Sequence, residues 1–188
     1  MEGILGAVSD RFRPFLEFMF FSGLRVGEGI GLSWQSVDFQ RGYMRVHETQ
    51  TNGVHLDTTK TYRERDVKLH PRAMAALSAA QAETFMLDQR VFMTEDQEPY
   101  ITPKAQRKAW RAALRRAGIR YRPMKNTRHT YATLLLMSGC SPYWVAGQMG
   151  HSLQVLLTRY AKWLPGDQDD VEMGRVTDMA TDGKTESL

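Results

Sequence analysis

Between residues 125 and 164 the chain is punctuated so closely that no long helix can run through it. Gly139 and Gly150 read as stops, because glycine takes the left-handed backbone of a helix end without steric cost. Ser141-Pro142 and Ser152 read as starts, since serine caps a helix and proline fits its first turn. The spacing predicts helices over roughly 128 to 138, 142 to 149 and 153 to 163. The stretch "KNTRHTYATLL", residues 125 to 135, places an arginine and a histidine side by side before a run of leucines. Read as structure alone, Arg128 and His129 are polar residues at a helix start; read as chemistry, they are anion-binding groups aimed at a phosphate.

Upstream the texture differs. "RPFLEFMFFSGLRVGEGIGLSW" begins as an apolar helix that Gly23 ends, followed by a short helix carrying Glu28 and Leu32. "GYMRVHETQ", "GVHLDTTKT" and "RERDVKLH" have β-like composition, are separated by "TNG" and by a turn near Thr61 and Tyr62, and predict a small antiparallel meander. Pro71 opens a helix through "RAMAALSAAQAETF", and Thr102-Pro103 offers an N-cap and first-turn proline for "KAQRKAWRAALRRAG". After Pro165 the chain turns polar and acidic with no strong period. The expected fold is mixed α/β, predominantly helical, with a small antiparallel sheet. With 188 residues, 42% of them apolar, one sizeable core is expected, placed in 1–166, with 167–188 as an acidic polar tail.

The net charge of +4 understates how basic part of the chain is. Residues 99 to 166 contain no Asp or Glu, yet hold Lys104, Arg107, Lys108, Arg111, Arg115, Arg116, Arg120, Arg122, Lys125, Arg128, Arg159 and Lys162. A solvated helix face normally mixes both signs, so a long acid-free basic stretch points to a polyanion, with a phosphate backbone foremost. No segment approaches the roughly 18 to 20 apolar residues of a membrane span, and the N-terminus lacks a signal-peptide layout. The expectation is a cytoplasmic protein without a membrane partner. The single cysteine, Cys140, excludes an internal disulfide and any multi-cysteine zinc site, and it reads as structural.

Four separated boxes, "SGLRVGEGIGLSW" at 22 to 34, "TTKT" at 58 to 61, "KNTRHTYATLLLMSG" at 125 to 139 and "GQMGHSLQVLLTRYAKW" at 147 to 163, together resemble the catalytic domain of the tyrosine recombinases, the phage-integrase family. The boxes stand in the family's order and spacing across most of residues 14 to 164. The resemblance implies a first catalytic arginine at Arg25, a β-hairpin lysine at Lys60, a second arginine at Arg128, a third-box histidine at His151, and a nucleophile at Tyr160, nine residues later. Arg128 then becomes a phosphate clamp and His129 its supporting neighbour at the DNA. Three residues before the second arginine the family usually has histidine; here it is Lys125, which is counted with the catalytic set although an ammonium is a poor proton acceptor at neutral pH.

The residue types suit that chemistry. Attack on a phosphodiester adds negative charge to its non-bridging oxygens, which two rigid guanidinium forks can hold. A tyrosine hydroxyl is a weak nucleophile until a cationic site or a base favours its phenolate, and the leaving sugar oxygen needs a proton, the role that the resemblance gives to Lys60. It further implies no metal and no cofactor, because the bond energy stays in a phosphotyrosine link. "GEGIG" at 27 to 31 makes no P-loop, lacking a preceding strand and a following Gly-Lys-Ser/Thr. Double-stranded DNA is the implied partner, bound by a homotetramer on paired sites with accessory DNA-bending or directionality proteins, in a bacterial or phage-encoded system acting on chromosomal DNA. The family's N-terminal core-binding domain is expected to be missing before residue 14, and its C-terminal tail to pack on a neighbour or to shield the basic face.

Blander readings stand beside these. Tyr160 lies on the stripe Leu153, Leu156, Leu157, Tyr160 and Trp163 or Leu164, so period alone makes it a core residue. Lys68 competes with Lys60, Arg25 can cap the preceding helix, and His151 can be a satisfied buried histidine. Glu28 reads as an ion-pair partner that orients Arg25. Lys104, Arg107, Lys108 and Arg111 form either a solvated face, with Trp110 and Leu114 inward, or, with Arg122, a surface tracking the DNA backbone. "SPYWVAGQMGHSLQVLLTRY" also scans as a helix-turn-helix, which makes the alternative a non-enzymatic DNA-binding module or an inactive recombinase relative. A type IB topoisomerase, sharing phosphotyrosine chemistry, is the nearer rival.

Overall fold

The computed structural model describes residues 1–46, 50–51, 54–55, 64–86, 89–94, 98, 106–164 and 169–181. After a single turn α1 (Glu2–Leu5), helix α2 (Arg13–Ser22) runs through the core. Its "FLEFMFFS" is apolar on nearly every side, as a helix must be when neighbours cover it all round. Phe15, Leu16, Phe18, Met19, Phe20 and Phe21 are all buried. Gly23 ends α2 in the left-handed region (φ 67°) and also permits a close approach. A Cβ there would stand 2.7 Å from the Tyr131 ring and 2.8 Å from the Met149 sulfur. Helix α3 (Val26–Gly31) follows at once.

Strands β1 (Val37–Asp38), β2 (Tyr43–Val46) and β5 (Arg65–Lys68) form an antiparallel sheet in the order β1-β2-β5. Alternation sends Met44, Val46 and Val67 into the core, while Arg45 and Asp66 pair across the outer face at 3.0 Å. The expected meander through consecutive strands is corrected here. Strand β2 pairs with β1 and β5, and β3 (Gln50–Thr51) pairs with β4 (Val54–His55) across "TNG" as a separate short ladder. "YMRV" and "RDVK" carry the period-two pattern that buries one face. Residues 56–63, Lys60 among them, lie outside the described residues.

Helix α4 (Pro71–Thr84) opens at Pro71 as expected, with His70 Nδ1 accepting the Arg72 N–H at 3.1 Å. The Thr102-Pro103 start lies outside the described residues; α5 spans Arg107–Arg116, with Trp110 and Leu114 inward. The last third follows its punctuation: α6 (Asn126–Met137), α7 (Pro142–Met149) and α8 (Leu153–Tyr160), the last tightening into a 3-10 turn over Ala161–Trp163. Gly139 and Gly150 take φ of 79° and 61°, and the Ser152 hydroxyl accepts the Val155 N–H at 3.3 Å. The tail, read as lacking a period, forms α9 (Asp169–Thr181). Its described side chains are exposed, so α9 lacks the buried stripe by which a helix announces itself in sequence. Among the described residues no helix is long and apolar enough to cross a membrane.

Candidate active site

The turn after α2 delivers Arg25 to the N-cap of α3. There its N–H donates to Glu28 Oε2 and its Nη1 to Glu28 Oε1, both at 2.8 Å. The carboxylate has a second guanidinium on its other side: Arg65 of β5 donates through Nη1 at 3.1 Å and Nη2 at 2.9 Å. Arg65 Nε also reaches the carbonyl of Gln148 at 3.3 Å, tying the sheet to the end of α7. The Glu28 side chain is 0% exposed. Burial pushes its carboxyl up, but the hydrogen bonds and charge of Arg65 and Arg25 prevail and hold it below the usual carboxylate value. Glu28 was expected to orient Arg25; Arg65 was missed. Its signal was an arginine sharing the inward register of Val67, which calls for a buried acid.

Arg128 lies in the first turn of α6 and is 7% exposed. Its Nη1 donates to the carbonyl of Gly23 at 2.6 Å, and its Nη2 to the carbonyl of Met149 and, at 2.9 Å, to Nε2 of His151. Arg128 thus bonds a carbonyl at the end of α2 and another at the end of α7. A guanidinium has no acceptor, so His151 Nε2 accepts, and the hydrogen-bond network assigns its proton to Nδ1. That Nδ1 is buried and without a hydrogen-bond partner among the described residues. Burial, with Arg128 and Arg25 nearby, pushes the imidazole down to about 4, so it is neutral at pH 7. Burial and the Arg25 charge lower Arg128 to about 10, which leaves it cationic at pH 7.

Tyr160 ends α8, 3% exposed. Of the expected stripe, Leu156 and Tyr160 are buried, whereas Leu153, Leu157 and Trp163 are exposed. The Tyr160 hydroxyl is not left in an apolar core: it lies 2.6 Å from Nδ1 of His129. Burial raises the phenol above its ordinary value against the pull of Arg128 and Arg159. Burial lowers His129, helped by Arg159, Lys125 and Arg128.

Arg25, Lys125, Arg128, His129, His151 and Tyr160 line one cleft of about 450 Å³, with Arg159 and Val155 at its wall. Residues far apart in sequence thus meet through the Gly23 and Gly150 turns. Lys60 and Lys104 lie outside the described residues. Lys68, the competitor of Lys60, does not line the cleft; its ammonium donates to the Arg41 carbonyl at 2.7 Å and sits 4.3 Å from the Tyr43 ring. Arg107, Lys108, Arg111 and Arg122 are exposed on and just beyond α5, apart from the cleft. Among the described residues no group of three His, Cys, Asp or Glu side chains is placed to hold a metal ion.

Residues 1–165 match the phage integrase family. Prophage integrase IntR of Escherichia coli strain K12 is 31% identical over 179 residues, covering 82% of this chain and 44% of the relative. The chain thus spans less than half the length of the curated relatives it matches. The Tn1549 transposon integrase, solved with circular intermediate DNA, superposes with a TM-score of 0.75 at 16% identity, over 93% of this chain and 64% of that one. The catalytic domain of bacteriophage HP1 integrase gives 0.62 at 17% identity, over 92% and 89%. With the family's match running from the first residue through the 3-10 turn after Tyr160, and its fold reproduced around the cleft, this chain belongs to the phage integrase family.

Proposed function

We propose that the chain is the catalytic part of a site-specific DNA recombinase that cuts and rejoins DNA through a covalent 3′-phosphotyrosine link at Tyr160. The observation that carries this reading is the convergence of Arg25, Arg128, His151 and Tyr160, from four different segments, on one cleft. Arg25 and Arg128 hold the non-bridging oxygens of the scissile phosphate and stabilise the charge that attack adds. Glu28 and the Gly23 and Met149 carbonyls fix those forks beforehand, so little reorganisation remains at the moment of reaction. His151 holds Arg128 through Nε2, and its Nδ1–H is the donor left for the phosphate. Lys60 protonates the leaving 5′-oxygen, and Lys125 contacts phosphate at the cleft rim. The link preserves the bond energy, so rejoining uses neither nucleotide nor metal.

Duplex DNA lies along the basic surface formed by Lys104, Arg107, Lys108, Arg111 and Arg122, and binding weakens steeply with salt. The full reaction takes a homotetramer on two paired sites, with accessory bending or directionality proteins, in the cytoplasm on chromosomal DNA. A plain helix-turn-helix reader would use the Gly150 turn between α7 and α8 but has no need of a tyrosine that shares a cleft with two arginines. The test uses nicked duplexes covering the junctions of the DNA element that carries the coding sequence, incubated with a chelator and run on a denaturing gel. A protein-DNA band for the wild type that Tyr160→Phe abolishes is expected. An undiminished band from Tyr160→Phe, or salt-sensitive binding with no band from the wild type, contradicts the proposal. Exchange between two duplexes, rather than relaxation alone, separates a recombinase from a topoisomerase.

A further inference from the structure

The Tyr160 hydroxyl already has a histidine nitrogen within hydrogen-bond reach, one that accepts when the ring carries its proton on Nε2, and it is not at the position where the family usually has its histidine. Lys125 occupies that position, and an ammonium offers three donors and no acceptor. Four residues later, on α6 and directly after Arg128, His129 places Nδ1 2.6 Å from Tyr160 Oη, with the two rings tilted at 48°. Successive side chains on a helix point about 100° apart. One turn of α6 can therefore send Arg128 inward to the Gly23 and Met149 carbonyls and His129 sideways to the end of α8.

We propose that His129 is the catalytic base that takes the proton of Tyr160 as its oxygen attacks phosphorus. This rests on the reading of Tyr160 as nucleophile. In the forward step the Tyr160 O–H bond breaks and its proton passes to Nδ1, giving an imidazolium. The Oη–P bond forms, the P–O5′ bond breaks, and the 5′-oxygen leaves with the proton assigned to Lys60. On rejoining, the 5′-hydroxyl attacks phosphorus and gives its proton back to the group assigned as Lys60, the Oη–P bond breaks, and Tyr160 departs as a phenol by taking its proton back from Nδ1. The groups facing His129 support the assignment. Burial, with Arg159 of α8, Lys125 and Arg128 of α6, lowers the imidazole and favours its neutral form, which can accept. The anionic phosphate that enters between these cations then favours the imidazolium as it forms.

The experiment is single-turnover formation of the covalent band on the same nicked duplexes, from about pH 5.5 to 9, for wild type, His129→Gln, His129→Ala and Lys125→Ala. Glutamine keeps a hydrogen-bonding group but cannot take up a proton at neutral pH. His129→Gln is expected to be slower by about a hundredfold or more at pH 7, in the range of general-base contributions. Its rate should climb about tenfold per pH unit where the wild type is flat, and imidazole in the buffer should restore part of the rate of His129→Ala. Lys125→Ala, which loses a phosphate contact, should be slower by a similar factor at every pH, without the tenfold climb per pH unit. An unchanged rate for His129→Gln, or a loss by one constant factor at every pH with no imidazole rescue of His129→Ala, overturns the assignment and leaves Tyr160 as nucleophile. No band from the wild type itself overturns the recombinase reading, and this assignment with it.

Discussion

Replacing Glu28 with alanine would leave two guanidiniums facing each other across the space of one carboxylate. The two are unequal: the Arg65 side chain is 11% exposed and that of Arg25 is 36% exposed. Arg25 can swing toward water, so its share of the loss is small, as for any screened surface pair. Arg65 cannot move so easily, since Nε is held by the Gln148 carbonyl and its plane packs on Gly150. Removing one partner of a buried pair costs about 3–5 kcal/mol, and with the Arg25 share discounted we expect about 3 kcal/mol. In a chain of this length each kcal/mol moves the melting temperature by about 2–4 °C, so Glu28→Ala should melt about 6–12 °C below the wild type. The assay is thermal unfolding followed by circular dichroism. A pH series adds a check on sign. The folded carboxyl is held below its ordinary value of 4.5, so its contribution is present above that value and disappears as pH falls through the folded pKa. The deficit of Glu28→Ala should therefore shrink in acid. A melting point within about 2 °C of the wild type at pH 7, or a deficit that grows in acid, would refute the buried-pair reasoning.

Two further predictions follow from the same geometry. Gly150→Ala forces a Cβ to within 2.9 Å of Arg65 Nη1 at a φ of +61°, and the left-handed backbone alone costs about 1–2 kcal/mol. Its melting point should drop by about 2–8 °C, and a rise would mean that the turn is not constrained as described. His151, neutral in the fold and pushed down to about 4, binds no proton where the unfolded histidine, near 6.5, already does. Stability is then fully present above about pH 6.5 and declines as pH falls toward 4, with His129 adding in the same direction. Melting points from pH 7.5 to 4.5 should show that decline, and His151→Gln should flatten it; an unchanged slope in the variant would place the cause elsewhere.

The helical last third was legible because glycine and serine mark its ends chemically, so α6, α7 and α8 fall within two or three residues of their expected limits. The sheet was less so. Strand pairing is decided by which segments bury a common face, and "YMRV" and "RDVK" do so across a polar insertion that looked equally strand-like. Helix α9 gave no pattern because its described side chains are all exposed. At the site, the ordered boxes named Arg25, Arg128, His151 and Tyr160, and the cleft gathers all four. The Glu28–Arg65 pair and the His129–Tyr160 contact were not legible, because each joins segments whose proximity only the folded chain creates. His129 was read as a neighbour of DNA; its place in space is against the hydroxyl of α8.

The most direct measurement is to locate the covalent bond. The denaturing-gel band would be digested with nuclease and then trypsin, and the peptide carrying nucleotide identified by mass spectrometry. Cleavage after Arg159 and Lys162 frees the tripeptide Tyr-Ala-Lys that begins at Tyr160. The phosphotyrosine reading predicts the nucleotide on that peptide alone. Nucleotide on the exposed Tyr143 of the adjoining groove, or on any residue other than Tyr160, would contradict it.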